Sequence, residues 1–133
     1  MMANKKVAII ASSSGLETAY KALNIATAAA ALDAEVAIFF TFEGLGIVRQ
    51  DAESILKLKP ENAGMEEGFK RSNVPSVSQL LELAKESGVR LIACQMTVDA
   101  MGLQKEHFID GIEFAGAAAF LDFAFDAQVT LNF

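Results

Sequence analysis

The chain has no tryptophan, one tyrosine, one histidine, two prolines and a single cysteine, Cys94, in 133 residues. A lone cysteine excludes an intrachain disulfide framework and suits a reducing compartment, so a cytoplasmic location is expected. One histidine beside one cysteine leaves too few ligands for a metal site within the chain, and neither a metal nor a cofactor is expected. Basic residues are scarce: 11 Lys and Arg stand against 17 Asp and Glu, a net charge of −6. That balance argues against nucleic acid or an anionic membrane as a partner, since both attract Lys and Arg patches. No run of about 18 apolar residues is free of charges and helix terminators, so no membrane span is expected. The opening MMANKK lacks a long apolar core followed by a small-residue cleavage site, and no signal peptide is expected.

Apolar residues are plentiful instead, at 53% of the chain with ten phenylalanines. A chain of this length forms one domain, residues 1–133, with a real core. Its apolar excess predicts burial against copies of itself, in a homo-oligomer.

Five short runs read as strands: Lys6–Ala11, Glu35–Thr41, Val89–Cys94, Ile112–Ala115 and Gln128–Phe133. The first three are almost continuously apolar, as strands covered on both faces of a parallel sheet are. Between them, Leu16, Ala19, Tyr20, Leu23, Ala26, Thr27 and Ala30 recur at three and four and predict an amphipathic helix. Ser14 and Glu17 have the spacing of a capping box for that helix, and Ser76 and Gln79 for a second near residues 77–87, with Gly88 as its terminator. Asp51 is placed to cap a short helix through Leu56. Ala117, Phe120, Leu121, Ala124 and Phe125 mark a last helix. Strands alternating with helices predict βαβ units and an α/β fold. Residues 57–75, KLKPENAGMEEGFKRSNVP, hold both prolines and charges of both signs. They read as a long excursion, either a solvated connector or a lid or docking loop.

In a parallel α/β sheet the C-terminal strand ends share the edge where ligands bind. Three features converge there: Ser12-Ser13-Ser14-Gly15 after the first strand, Thr41-Phe42-Glu43-Gly44-Leu45-Gly46 after the second, and Cys94 at the end of the third. A helix beginning just after Cys94 would favour thiolate over thiol, and a persulfide anion likewise. Met96, Val98 and Met101 would wall the site with apolar, polarizable groups. The residues alone leave a second reading open, in which Cys94 is a small buried core residue. Ser13 and Ser14 serve either as caps or as an anion-orienting loop. Asp99 reads as a first-turn carboxylate, and His107 as part of a surface turn.

CQMTVDAMG at 94–102 resembles the cysteine motif of the DsrE/DsrF/DsrH-like sulfur-carrier proteins, in the branch reading roughly Cys-x-Met-Ser/Thr-x-Asp-x-Met-Gly. Ser12–Gly15, Phe39-Phe40-Thr41-Phe42-x-Gly44-Leu45, Gly111–Gly116 and the closing strand resemble other parts of that family. Glu43 departs from it, where an aromatic or small residue is expected. The resemblance implies a three-layer α/β/α sandwich with a five-stranded parallel sheet, in homo-oligomers. It also implies that Cys94 accepts sulfur as a persulfide and passes it between donor and acceptor proteins, as a carrier or sulfurtransferase. Ser13, Ser14, Gly44, Met96, Thr97 and Met101 are the residues expected to contact the substrate. Two other function classes stand beside this one: a small-molecule or nucleotide-binding α/β module with an incidental cysteine, and a non-catalytic oligomeric scaffold.

Overall fold

A computed structural model describes residues 5–133. The opening MMAN, part of the stretch read for a leader, lies outside the described residues. In chain order the elements are β1 (Lys6–Ala11), α1 (Leu16–Ala31), β2 (Glu35–Phe40), α2 (Ala52–Ile55), α3 (Met65–Arg71), α4 (Val77–Glu86), β3 (Arg90–Cys94), α5 (Gln95–Ala100), β4 (Glu113–Ala115), α6 (Ala117–Ala124) and β5 (Val129–Asn132). The strands form one all-parallel sheet in the order β4-β3-β2-β1-β5. All five expected strands form, trimmed by no more than one residue at an end. Helices lie on both faces, which makes a three-layer α/β/α sandwich.

Alternation along each strand sorts its side chains between the faces. Val7, Ile9, Ala11, Val36, Ile38, Phe40, Leu91 and Ala93 meet Ala19, Ala22 and Leu23 of α1 and Val77, Leu80, Leu81 and Ala84 of α4. Ala8, Ala37, Phe39, Ile92 and Cys94 point the other way, toward Phe120 and Phe123 of α6. Phe39 and Phe120 stack at 5.1 Å. Covering on both faces explains why the central strands read as unbroken apolar runs. It stabilises each large side chain by about 1.5–3 kcal/mol. Among the described residues no helix is long and apolar enough to cross a membrane.

The capping predictions divide. The Ser76–Gln79 box closes at both of its hydrogen bonds, 3.1 and 2.8 Å. Gly88 follows α4 with φ +82°, as a terminator should. The Ser14–Glu17 box does not form: Gly15 is the N-cap, with φ +106° and no side-chain cap bond. Glu17 reaches across the chain instead and accepts the Lys59 amide at 2.7 Å and the Asn62 side chain at 2.8 Å. The Leu16 amide donates to the Lys57 carbonyl at 2.9 Å, so a distant segment satisfies the start of α1 in place of a local cap. The Asn62 and Lys59 bonds outweigh desolvation and hold the Glu17 carboxyl below the usual carboxylate range. Asp51 occupies the N-cap of α2 without capping it, because its carboxylate grips Arg49 at 3.0 Å. That helix ends at Ile55, one residue early.

Residues 57–75 are not a bare connector. They hold a 3-10 turn, Pro60–Asn62, and α3. α3 buries no residue fully, so no apolar stripe announced it. Its charges follow the helix dipole, with Glu66 and Glu67 in the first turn and Lys70 and Arg71 in the last. Phe69 meets Tyr20 edge-on at 5.2 Å, and the Tyr20 hydroxyl donates to the Pro75 carbonyl at 2.9 Å. A cavity of about 710 Å³ lies between this segment, α1 and α2, lined in part by Leu16, Tyr20, Leu56, Lys57, Glu66 and Lys70.

Candidate functional site at Cys94

Cys94 is the last residue of β3 and the N-cap of α5. It ends its strand at the edge where ligands bind in such sheets, yet only 5% of the residue is exposed. The difference comes from the strand's alternation. Position 94 points with Ile92 into the layer beneath α6, not out over the edge. Next to it on one side lies Ala115, its partner on β4. On the other side Phe40 pairs with Ala93, so Thr41 is the β2-side neighbour of Cys94.

Thr97 is 3% exposed, and its hydroxyl lies 3.2 Å from that of Thr41. The Phe42 amide donates to the Thr97 hydroxyl at 3.4 Å. Phe42 reaches that position with φ +50°, a left-handed conformation that costs a non-glycine residue about 1–3 kcal/mol. The thiol makes no regular capping bond to α5, as befits a weak acceptor. The thiolate is a better one. Burial raises the Cys94 pKa, but the Thr97 hydroxyl and amide, the Thr41 hydroxyl and the Met96 amide together outweigh it, so the thiol titrates below its ordinary value. Two of these donors, the Met96 and Thr97 amides, are N-terminal amides of the helix that follows Cys94, and the two threonine hydroxyls add to them.

Gly44 is buried with no room for a side chain: a Cβ there would stand 1.9 Å from the Ala11 carbonyl oxygen. Its hydrogen atom lets the loop after β2 fold over the end of β1. Met96 and Met101 are 62% and 52% exposed, while Val98 points into the opposite core. The expected three-residue wall therefore does not form. Ser13 and Ser14 are exposed in the loop after β1, two strands from β3, about 10 Å away by strand spacing. Ser12 ties that loop to the Phe133 carbonyl. Asp99 sits in the second turn of α5, not the first, and accepts from the Gln95 side chain at 2.8 Å. His107 is exposed in a 3-10 turn, where Nδ1 accepts the Gln104 amide. Among the described residues no group of three or more His, Cys, Asp or Glu side chains is placed to hold a metal ion. None of the residues named for the site from sequence lines the cavity beneath α3.

The structure thus gathers Cys94, Thr97 and Met96 with two residues the sequence reading had quoted but not assigned, Thr41 and Phe42. The signal for Thr41 was its place at the end of β2, level with Cys94 in a parallel register.

This arrangement predicts an unusual alkylation profile. The rate with iodoacetamide should rise and level off at lower pH than that of a free thiol, and bulkier maleimides should be slowed more, each relative to its rate with a free thiol, because Cys94 is nearly buried. A rate still rising steeply above about pH 9 would exclude a depressed pKa. The linked stability has a definite sign. A thiol whose folded pKa lies below its unfolded value stabilises the fold above the unfolded pKa, and the gain is lost as pH falls through the folded one.

The chain matches the DsrE/DsrF/DrsH-like family over residues 3–66 and 59–132, two stretches that overlap within the segment 57–75. It is 38% identical to the sulfur carrier protein DsrE2 of Allochromatium vinosum, over 98% of this chain and 99% of that one. It is 35% identical to YrkE of Bacillus subtilis, with 96% of each chain covered. In fold it is similar to ychN of E. coli, with a TM-score of 0.69, 19% identity, and 97% of this chain and 99% of that one covered. Protein MTH1491 of Methanobacterium thermoautotrophicum gives a TM-score of 0.62 at 14% identity, with the same coverage. A match over nearly the whole chain, with relatives above 30% identity along nearly their full length, places this chain in the DsrE/DsrF/DrsH-like family.

Proposed function

We propose that the protein is a cytoplasmic sulfur carrier that holds sulfur as a persulfide on Cys94 and passes it to a thiol of a partner protein, in the manner of a sulfurtransferase. The observation that carries this reading is a lone cysteine at the C-terminal end of β3 and the N-cap of α5, level with Thr41 at the end of β2, and the lowered pKa of its thiol agrees with it. The 38% identical relative named as a sulfur carrier supports it.

Loading is a displacement at sulfur. The Cys94 thiolate attacks the outer sulfur of a donor persulfide, the new S–S bond forms, and the donor leaves as its own thiolate. With thiosulfate the leaving group is sulfite. In unloading, an acceptor thiolate attacks the outer sulfur of Cys94–S–SH, and Cys94 departs as thiolate. Neither step needs an outside oxidant or reductant. Cys94 is the only cysteine, so no second thiol in the same chain discharges the persulfide. The outer sulfur lies about 2 Å beyond Sγ, and a nearly buried Cys94 must be uncovered for a donor or acceptor sulfur to reach it. Met96 and Met101 are the exposed apolar side chains a partner would meet, and Thr97 the contact to the sulfur itself. The test loads the protein with labelled thiosulfate or polysulfide and then offers an acceptor thiol. Label that loads on Cys94 but never leaves would limit the protein to storage.

The homo-oligomer is proposed on the α6 side of the sheet. Leu121 and Phe125 are exposed there, Phe125 to 82%. An apolar groove of about 240 Å³ runs between Ile10, Phe120, Leu121, Ala124 and β5. Light scattering should show a multiple of the 14.2 kDa chain, and a clean monomer at micromolar concentration would refute it. The small-molecule reading has its own place, the cavity beneath α3, and a ligand retained there through purification would favour it.

A further inference from the structure

We propose that the first turn of α6, Gly116–Ala119, is a lid over Cys94, latched by the stacking of Phe120 on Phe39, while the far end of the helix stays fixed. The proposal rests on the reading of Cys94 as the sulfur-bearing residue and adds how a nearly buried sulfur is reached by a partner.

Topology places the turn. Among the described residues, α6 is the only helix that packs in the buried cluster holding Cys94. The chain leaves β4 at Ala115, the register partner of Cys94, and Gly116 opens α6 directly after it. Four residues on, the Phe120 ring stacks at 5.1 Å on Phe39, which belongs to β2. β3 lies between β4 and β2, so the turn must cross β3. It crosses at the C-terminal end. Phe39 is level with Ile92, one same-face position before Cys94 and about 7 Å along the strand. From Phe120 back to Gly116 the helix covers about 6 Å, toward the level of Cys94.

The two ends of α6 are fastened differently. At the far end Lys6 pairs with Asp126 at 3.0 Å. Lys6 Nζ and the Arg90 guanidinium lie 5.1 and 5.9 Å from the centre of the Phe123 ring. The Lys6 amide donates to the Gln128 side chain at 2.7 Å, and the Gln128 amide to the Lys6 carbonyl at 3.1 Å. The near end has no such ties. Gly116 is the N-cap and gives no side-chain cap bond. The first helical bond, from the Phe120 amide to the Gly116 carbonyl, is 3.4 Å long, against 2.9 Å from Phe125 to Leu121 at the far end. Ala117, Ala118 and Ala119 are exposed, so Phe120 is the only side chain of this half that is buried. Lifting the turn breaks one aromatic stack and no ion pair. The other members of the cluster near Cys94, Ile92, Phe39 and Ala115, sit in strands whose ladders hold them.

The test is the rate of Cys94 alkylation on the high-pH plateau, where the sulfur is fully thiolate and reach rather than acidity is read. Phe120→Ala should raise the rate about tenfold or more, and a bulky maleimide should gain more than iodoacetamide. Phe123→Ala removes an equally large ring from the fixed end and should raise it by less than about threefold. Equal acceleration in the two variants overturns the lid, because the helix would then release as one unit. An unchanged rate in Phe120→Ala overturns it too. If either variant does not fold, the wild type decides through its urea dependence. Opening one turn exposes little surface, so the rate, relative to a free thiol in the same urea, should stay flat well below the unfolding transition. A rate that climbs from the lowest urea with the slope of global unfolding overturns the lid, as does a wild-type rate equal to that of the free thiol. Sulfur loading of the wild type is a separate measurement: if it fails, the carrier function falls while the alkylation rates still decide the lid.

Discussion

Wild-type protein incubated with polysulfide or thiosulfate is expected to gain one sulfur atom, removable with dithiothreitol, and Cys94→Ser is expected to gain none. Intact-mass spectrometry reads both. The loss should be complete, because sulfur transfer needs a thiolate and the chain has no other cysteine to supply one. Folding should survive the change. Position 94 is the N-cap of α5, where serine is among the preferred residues, and its smaller oxygen accepts helix amides well. The pocket loses little volume, so Cys94→Ser should keep its unfolding free energy, measured in urea, within about 1 kcal/mol of wild type. A folded variant that loads as much sulfur as wild type would remove Cys94 from the chemistry. No loading of wild type with any donor would remove the chemistry itself.

The parts of this fold that were legible are those whose causes are local. β1, β2 and β3 announced themselves because burial on both faces leaves no polar alternation to confuse with a loop. The Ser76–Gln79 cap is complete within four residues, so its spacing was enough. The Ser14–Glu17 cap has the same spacing and fails, because Glu17 finds Lys59 and Asn62 more than 40 positions away. α3 hid for the opposite reason. It lies on the surface with one aromatic contact, and its formation leaves charge order as the only trace in the sequence.

At the site, Cys94 was legible through its place at a strand end and through the motif around it. Its burial was not, since that depends on which face of β3 looks toward α6. Thr41 and Phe42 depend on the register between β2 and β3, which no local pattern states. Gly44 was noticed as part of a loop where a substrate contact is expected. In the folded chain a steric demand already accounts for the absence of a side chain.

Gly44→Ala separates those two accounts. An added Cβ would stand 1.9 Å from the Ala11 oxygen and 2.6 Å from its carbon. Both belong to backbone, and the same carbonyl accepts the Thr41 amide at 3.1 Å, so it is not free to swing aside. The Gly44 amide in turn donates to the Thr41 carbonyl at 2.9 Å. The loop must therefore lift, carrying Thr41 and Phe42 away from Thr97. Two effects should appear together: a loss of about 3 kcal/mol or more of stability, at the upper end of overpacking, and an upward shift of the Cys94 alkylation profile toward that of a free thiol. Gly46→Ala is the control. Its Cβ would meet the tips of Ile55, at 3.2 Å, and Leu56, at 3.8 Å, flexible ends that can yield for less than about 1 kcal/mol. Urea unfolding of the two variants gives the first effect and iodoacetamide kinetics the second. A Gly44→Ala protein as stable as wild type would show that the loop after β2 does not lean on β1 as described. A destabilised one that keeps the wild-type alkylation profile would show that the hydroxyls over Cys94 are held by something other than this loop.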